Sequence, residues 1–363
     1  MNSPRPRLQP ALFAMLLLYS SILVRGGAAT AQAHEAFLPA AAAARSWADK
    51  PAMQEPVSPP VFEFHSGFWT NLHHFLYKLA RDRKDSSKAT DPFAGAKLAV
   101  VEQREWNVAV DYYAVNYADL DPAINVDLIN LKNELGDAEN CAEISGRSGP
   151  RCAMALPKEV AQILESAAPV YRAHWWSEHD RANRQWTEQV APLVRQWGKD
   201  LAEELARVYQ AKWPAGKVRV DVTAYADWAG AYTTLDPLRV TIASLDPRNQ
   251  GQAALELLFH EASHGLAEPI QTAIVRECRI RGKPIPRDLW HAVVFYTTGE
   301  VVKDVLNEGG ETGSGAYTPY AMREGLYTHR WSNYLRVIQK YWQPYLDGSA
   351  DFGDAIARMV SSL

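Results

Sequence analysis

The chain has 363 residues, 47% of them hydrophobic and 22% charged, with a net charge of −4. That length suits one large domain or two small ones around a substantial core, and with no basic excess the chain lacks the electrostatic footprint of a nucleic-acid-binding protein. Twelve Trp and sixteen Tyr, several inside helical stretches, read as core and helix-packing residues.

Residues 1–33 have the pattern of an export signal. Arg5 and Arg7 precede a largely apolar run at residues 11–24, and Ala31-Gln32-Ala33 fits a small-x-small cleavage site. The run falls short of the about 20 apolar residues that span a bilayer, although Arg25 directly after it keeps a retained signal anchor as the alternative. The expectation is therefore a secreted or periplasmic protein with no stable membrane association after signal cleavage. Residues 34–60 are Ala- and Pro-rich and read as a linker or pro-segment.

From residue 61 the pattern becomes helical. Residues 61–84 predict an amphipathic helix carrying His65, His73 and His74; adjacent His73 and His74 diverge around a helix, so they read as packing residues. Further helices are expected over 98–117, 122–135, 157–170 and 172–213, with Pro192 able to kink or divide the last. His174 and His179 are off helical register for a shared ion and read as structural. Cys141 and Cys152 flank a polar loop and predict a disulfide in an oxidising compartment, worth ~2–3 kcal/mol in the chain-entropy model. Cys278 is left over and reads as buried and inert.

Strand patterning follows at 218–226, where branched apolar and polar residues alternate, with short strand candidates at 230–234 and 238–244 joined by Asp236-Pro237. A helix at 252–267 then carries His260-Glu261-Ala262-Ser263-His264. Histidines four apart share one helix face and can reach a single metal. Zinc accepts imidazole nitrogen readily, and the glutamate after the first histidine can act as general base, as in HExxH zinc peptidases. A small sheet just before such a helix is the zincin order, in which an edge strand can pair with an extended peptide.

A catalytic zinc needs a third protein ligand. Glu268 follows the histidine helix too closely, and Glu277 sits among arginines as an ion-pair residue. His291 and Glu300 both lie on the helix expected at 288–307, about 180° apart around it and ~13 Å apart along it, so only one can bind the ion. Glu300 is preferred, because Asp304 lies one turn on and could hydrogen-bond the free nitrogen of His260 or His264. If His291 binds instead, the site is a three-histidine one and Glu300 is structural.

Over residues 255–304 the chain resembles the gluzincin zinc metallopeptidases, whose third ligand is a Glu on a second helix, often followed four residues later by an Asp. The resemblance implies zinc held by His260, His264 and Glu300, Glu261 as base, and Asp304 as the orienting carboxylate. It also implies an oxyanion donor beyond the third ligand. The segment 313–330 offers Tyr317, Tyr320, Arg323, Tyr327 and His329, of which Tyr320 is chosen, with Tyr296 in reserve.

The combined expectation is a mainly helical α+β, zincin-like domain over 61–363. Its helical half would cover 61–213 and its sheet and metal-site half 214–363. The function expected is a zinc-dependent hydrolase, a peptidase acting on peptide or protein substrates. The alternatives are an exported zincin-fold metal-binding protein without turnover, a zinc amidase on a non-protein amide such as cell-wall material, and a helical protein whose HExxH is accidental.

Overall fold

A computed structural model of the protein describes residues 61–85, 93, 95–146, 152, 156–308 and 316–363. The expected export signal, the linker and the Gly-rich start of the segment 313–330 lie outside these residues. Pro56–Leu363 forms one compact unit, mainly helical with one small mixed sheet. Among the described residues no helix is long and apolar enough to cross a membrane.

The described residues begin with strand β1 (Phe62–His65), followed by helices α1 (Phe68–Lys84), α2 (Val100–Asn116), α3 (Val126–Asp137), α4 (Lys158–His174) and α5 (Trp176–Val208). Strands β2 (Val218–Thr223), β3 (Ala231–Leu235) and β4 (Leu238–Ala243) come next, then α6 (Gly251–Ser263), α7 (Glu268–Ile280) and α8 (Leu289–Glu308). Short helices α9 (Tyr320–Arg323), α10 (Leu326–His329), α11 (Leu335–Tyr341) and α12 (Gln343–Leu346) lead to α13 (Phe352–Ser362).

The expectation of a single helix over 61–84 is corrected at its start. Phe62–His65 is a strand, paired in parallel with β2 in the register Phe62↔Val218. Its phenylalanines anchor it: Phe62 packs edge-on against Phe259 at 5.1 Å, and Phe64 against Trp186 at 6.0 Å. A partner so distant in sequence leaves no local trace, and four residues are too few for a period of two to stand out. Pro192 does not divide α5, which runs unbroken through it. Pro192 and Glu188 are both exposed, so the carbonyl that loses its helical partner faces water. The break comes instead at Trp175, whose φ of −131° separates α4 from α5.

The sheet has the order β1-β2-β4-β3, with β3 antiparallel at one edge and the other pairs parallel. One face is apolar. Val218, Val220 and Val222 of β2 and Val240 and Ile242 of β4 are buried in a core shared with α5, α6, α7 and α8. The other face is polar and covered by α1 and α3. Buried Lys132 of α3 donates to Thr234 Oγ1 at 3.2 Å and lies 3.7 Å from Asp221 Oδ2, while Arg219 donates to Gly136 O at 2.9 Å. A second apolar core gathers α1 to α4 around Trp69, Phe75, Trp106 and Tyr171. The expected halves met at residue 213, whereas the cores part within α5: Trp176 packs against the helical core and Trp186 belongs to the sheet core.

His73, His74 and His179 pack as expected, and the cysteines pair as expected. His73 meets Tyr113 OH at 2.9 Å and His74 meets Tyr232 OH at 2.9 Å, the two rings pointing to different partners. His179 meets Tyr171 OH at 2.8 Å. Cys141 and Cys152 are bonded, with Cα atoms 5.7 Å apart, and Cys278 is free and buried.

Candidate metal centre

Helix α6 is buried from Ala253 to Ser263, its leucines, alanines and Phe259 together with the polar Glu256, His260 and Glu261. It lies under the apolar face of the sheet, so its two histidines have fixed backbones. His260 is wholly buried, and His264 opens the 3-10 turn His264–Leu266 that ends the helix. Helix α8 brings His291 from its first turn against them. Nε2 of His260 is 3.3 Å from Nε2 of His264 and 3.3 Å from Nε2 of His291, and one ligand atom from each residue lies within 4.8 Å of the others. Among the described residues this is the group of His, Cys, Asp or Glu spaced to hold a metal ion.

These distances test the fit of zinc. Nitrogens bound at about 2.0–2.1 Å to a tetrahedral ion stand roughly 3.3–3.4 Å apart, which the two measured separations match. Burial pushes all three imidazoles down, His264 to about 4 and His291 to about 3, with His260 well below its usual value. Three converging, neutral imidazoles form the donor set that zinc prefers.

Glu261 completes the group. Its Oε2 is 4.0 Å from His264 Nε2 and accepts a hydrogen bond of 2.7 Å from Thr233 Oγ1 on β3. Burial pushes its carboxyl up to about 8, against the pull of the Thr233 hydroxyl and with a further push from the charge of Asp227. The walls are aromatic. Phe295 lies over His260 with ring centroids 3.4 Å apart, Trp290 is edge-on to His264 at 5.6 Å, and Trp331 is edge-on to His291 at 5.4 Å.

The preferred third ligand, Glu300, is not in this group; the alternative, His291, is. Further along α8, Glu300 and the glycine before it approach Glu256, one turn before His260 on α6. Gly299 permits this approach: a Cβ there would meet Glu256 Oε1 at 3.2 Å and Pro319 at 2.7 Å. Glu300 is ion-paired with Lys303. The orienting role given to Asp304 is likewise not seen at His260, whose Nδ1 is buried without a hydrogen-bond partner. Asp304 itself is exposed further along α8.

Tyr320, the chosen oxyanion donor, stacks on Phe295 at 6.2 Å, so the phenyl ring stands between it and His260. Its backbone N–H donates to Glu256 Oε2 at 2.8 Å, and Tyr317 OH donates to the same oxygen at 2.7 Å. Tyr327 OH donates to Ala292 O, and Tyr296 OH to Gln343. Sequence reasoning passed over Thr233, Phe295, Trp290 and Trp331. Trp290 beside His291 was the one available hint; the others are reached only through the fold.

Glu256 has its own pH signature. Burial pushes its carboxyl up to about 7, against the hydrogen bonds from Tyr317 and Tyr320, while an unfolded Glu ionises near 4.5. Between those values the unfolded chain has released the proton that the folded one keeps. Stability therefore falls as pH rises through this window, and the loss, on the order of 3 kcal/mol, is complete above about pH 7. Glu256→Gln is expected to flatten the profile of Tm against pH over that window. A profile as steep as the wild-type one would count against this assignment.

Compared with protein-family models, curated proteins and solved structures, the chain finds no match. The geometry of the side chains is what speaks for a function.

Proposed function

We propose that the protein is a zinc-dependent hydrolase acting on peptides, with His260, His264 and His291 as the ligands and Glu261 as the general base. The observation that carries this reading is the pair of 3.3 Å Nε2 separations with the Glu261 carboxylate 4.0 Å from His264 Nε2. The ligand set departs from the gluzincin pattern, which has a Glu where this chain has His291. The helix-borne HExxH beneath a mixed sheet is what supports a zincin-like fold.

Zinc held there would act as a Lewis acid and lower the pKa of water towards ~7. The protein's own groups do the rest. Burial alone pushes the Glu261 carboxyl up to about 8, and the positive charge of a bound zinc would favour its ionised form. The carboxylate would then accept the proton of the attacking water and deliver it to the leaving amine. Thr233 Oγ1, 2.7 Å from Glu261 Oε2, fixes the carboxylate's direction. Strand β3 lies beside Glu261 and has one strand neighbour, β4, so its other edge suits an extended peptide. Trp290, Phe295 and Trp331 limit the water that reaches the centre.

The test is metal analysis of the purified chain together with hydrolysis of a mixed peptide library. Stoichiometric zinc is expected, with cleavage that a chelator abolishes and added zinc restores. Zinc without cleavage of any peptide would leave a metal-binding protein. A chain that takes up no zinc would end the proposal.

A further inference from the structure

Strands β2 and β4 end at a cavity of about 570 Å³, a volume in the range of small-molecule sites. It lies outside the carboxyl ends of parallel strands, where open sheets generally bind ligands. Helix α1 supplies Tyr77, Lys78 and Arg81, and the loop after β2 supplies Tyr225, Asp227 and Trp228. Two of the charges are already paired, Lys78 with Asp82 and, on the far wall, Arg248 with Asp246. Asp227 is different. Its Oδ1 accepts from the N–H groups of Ala229 and Gly230 at 2.9 and 3.0 Å, and no cation among the described residues forms an ion pair with it. Arg81 is held by the Tyr77 hydroxyl at 2.9 Å.

The charge of Arg81 reaches Asp227, but its guanidinium is held by the Tyr77 hydroxyl and not by the carboxylate. A half-buried carboxylate is thus left for a ligand cation to pair with directly. Aromatic faces favour cations, and those here already do so, with Lys78 over Tyr225 at 5.0 Å and Arg81 over Tyr77 at 5.7 Å. Trp228 is 57% exposed at the rim. Asp121 adds a further negative charge beside Asp227, whose carboxyl burial pushes up to about 7.

One side chain links the cavity rim to the wall of the metal centre. Arg330 lies 5.8 Å from both the Trp228 and the Trp331 rings, linking the rim to the wall of His291. Strand β3 runs between the two sites, since Asp227 and Trp228 line the cavity shortly before it and Thr233 on it donates to Glu261. Three residues of strand cover ~10 Å, so a peptide extended along β3 would bring a group two or three residues from its scissile bond to the cavity mouth.

We propose that this cavity is a substrate subsite for a cationic group, with Asp227 as its carboxylate and Tyr77, Tyr225 and Trp228 as its aromatic walls. The inference rests on the hydrolase reading for its role, while the binding itself does not need zinc. The cation is an ammonium or guanidinium, either a Lys or Arg side chain or the α-ammonium of a peptide.

The probe is benzamidine, with benzamide as its neutral counterpart, titrated calorimetrically at pH 8 into the full zinc-treated chain and into the His264→Ala variant. Benzamidine is expected to bind at least about ten-fold tighter than benzamide, and equally to both proteins. Asp227→Asn keeps an oxygen for the Ala229 and Gly230 N–H groups, and is expected to weaken benzamidine by about ten-fold while leaving benzamide unchanged. Trp228→Ala, at an exposed position, should weaken it several-fold. Equal binding of the two probes, or an Asp227→Asn chain that binds as wild type, would overturn the proposal. Benzamidine binding that survives when no hydrolysis is found would fail the hydrolase reading alone. Two peptides separate the sources: an N-acetylated, amidated one with a single Arg, and an amidated one with a free N-terminus and no Lys or Arg. Asp227-dependent binding of either supports the subsite and names its ligand, and binding of neither overturns it.

Discussion

Glu261→Gln is expected to leave zinc uptake intact and to lower turnover by about a hundred- to ten-thousand-fold, the range over which a positioned general base acts. The substitution keeps the shape of the side chain and an oxygen for the Thr233 hydroxyl, so the hydrogen bond of 2.7 Å from β3 can persist. None of the three imidazoles is touched, and metal content should stay at the wild-type level. What disappears is the ability to hold a proton between the attacking water and the leaving amine. The measurement is kcat on a cleaved library peptide alongside metal stoichiometry. Undiminished turnover with zinc bound would remove Glu261 from the chemistry.

A second large effect separates the two ligand assignments. His291→Ala is expected to weaken zinc by more than the ten- to hundred-fold typical of residues that only support ligands, because it removes one of three direct donors. Glu300→Ala is expected to leave affinity near wild type, since Glu300 faces Lys303 and the Glu256 end of α6 rather than His260. Competition with a chromogenic chelator reads both affinities. The reverse order, with Glu300→Ala losing zinc and His291→Ala keeping it, would restore the His2Glu set that the gluzincin resemblance implies.

Much of the fold was legible because it is written in short periods. Strand β2 was readable from alternation, β3 and β4 as short strand candidates joined at Asp236-Pro237, and α6 as the helix of the histidine pair, since each depends on residues close together in sequence. His260 and His264 pair for the same reason: four residues of helix bring them to one face whatever surrounds them. The pairing of Cys141 with Cys152 needed only a short polar loop between two thiols.

Choosing between His291 and Glu300 was beyond local reasoning. Both residues sit on α8, and their separation along it excluded joint binding but could not say which end of α8 meets the histidines. That depends on how far α8 slides along α6, which is set by packing at Gly299, Pro319 and Phe295. Strand β1 was missed for a related reason, as its partner β2 lies far along the chain. The cavity is further still from sequence, because α1, the loop after β2 and the turn after β4 meet there only once the sheet has formed. The sequence by itself determined the elements and the two-histidine pair, through interactions one turn or one pleat in range. Only the tertiary structure decided the third imidazole, the Thr233 contact to Glu261 and the Asp227 cavity, because each joins elements whose relative position is fixed by the packed core.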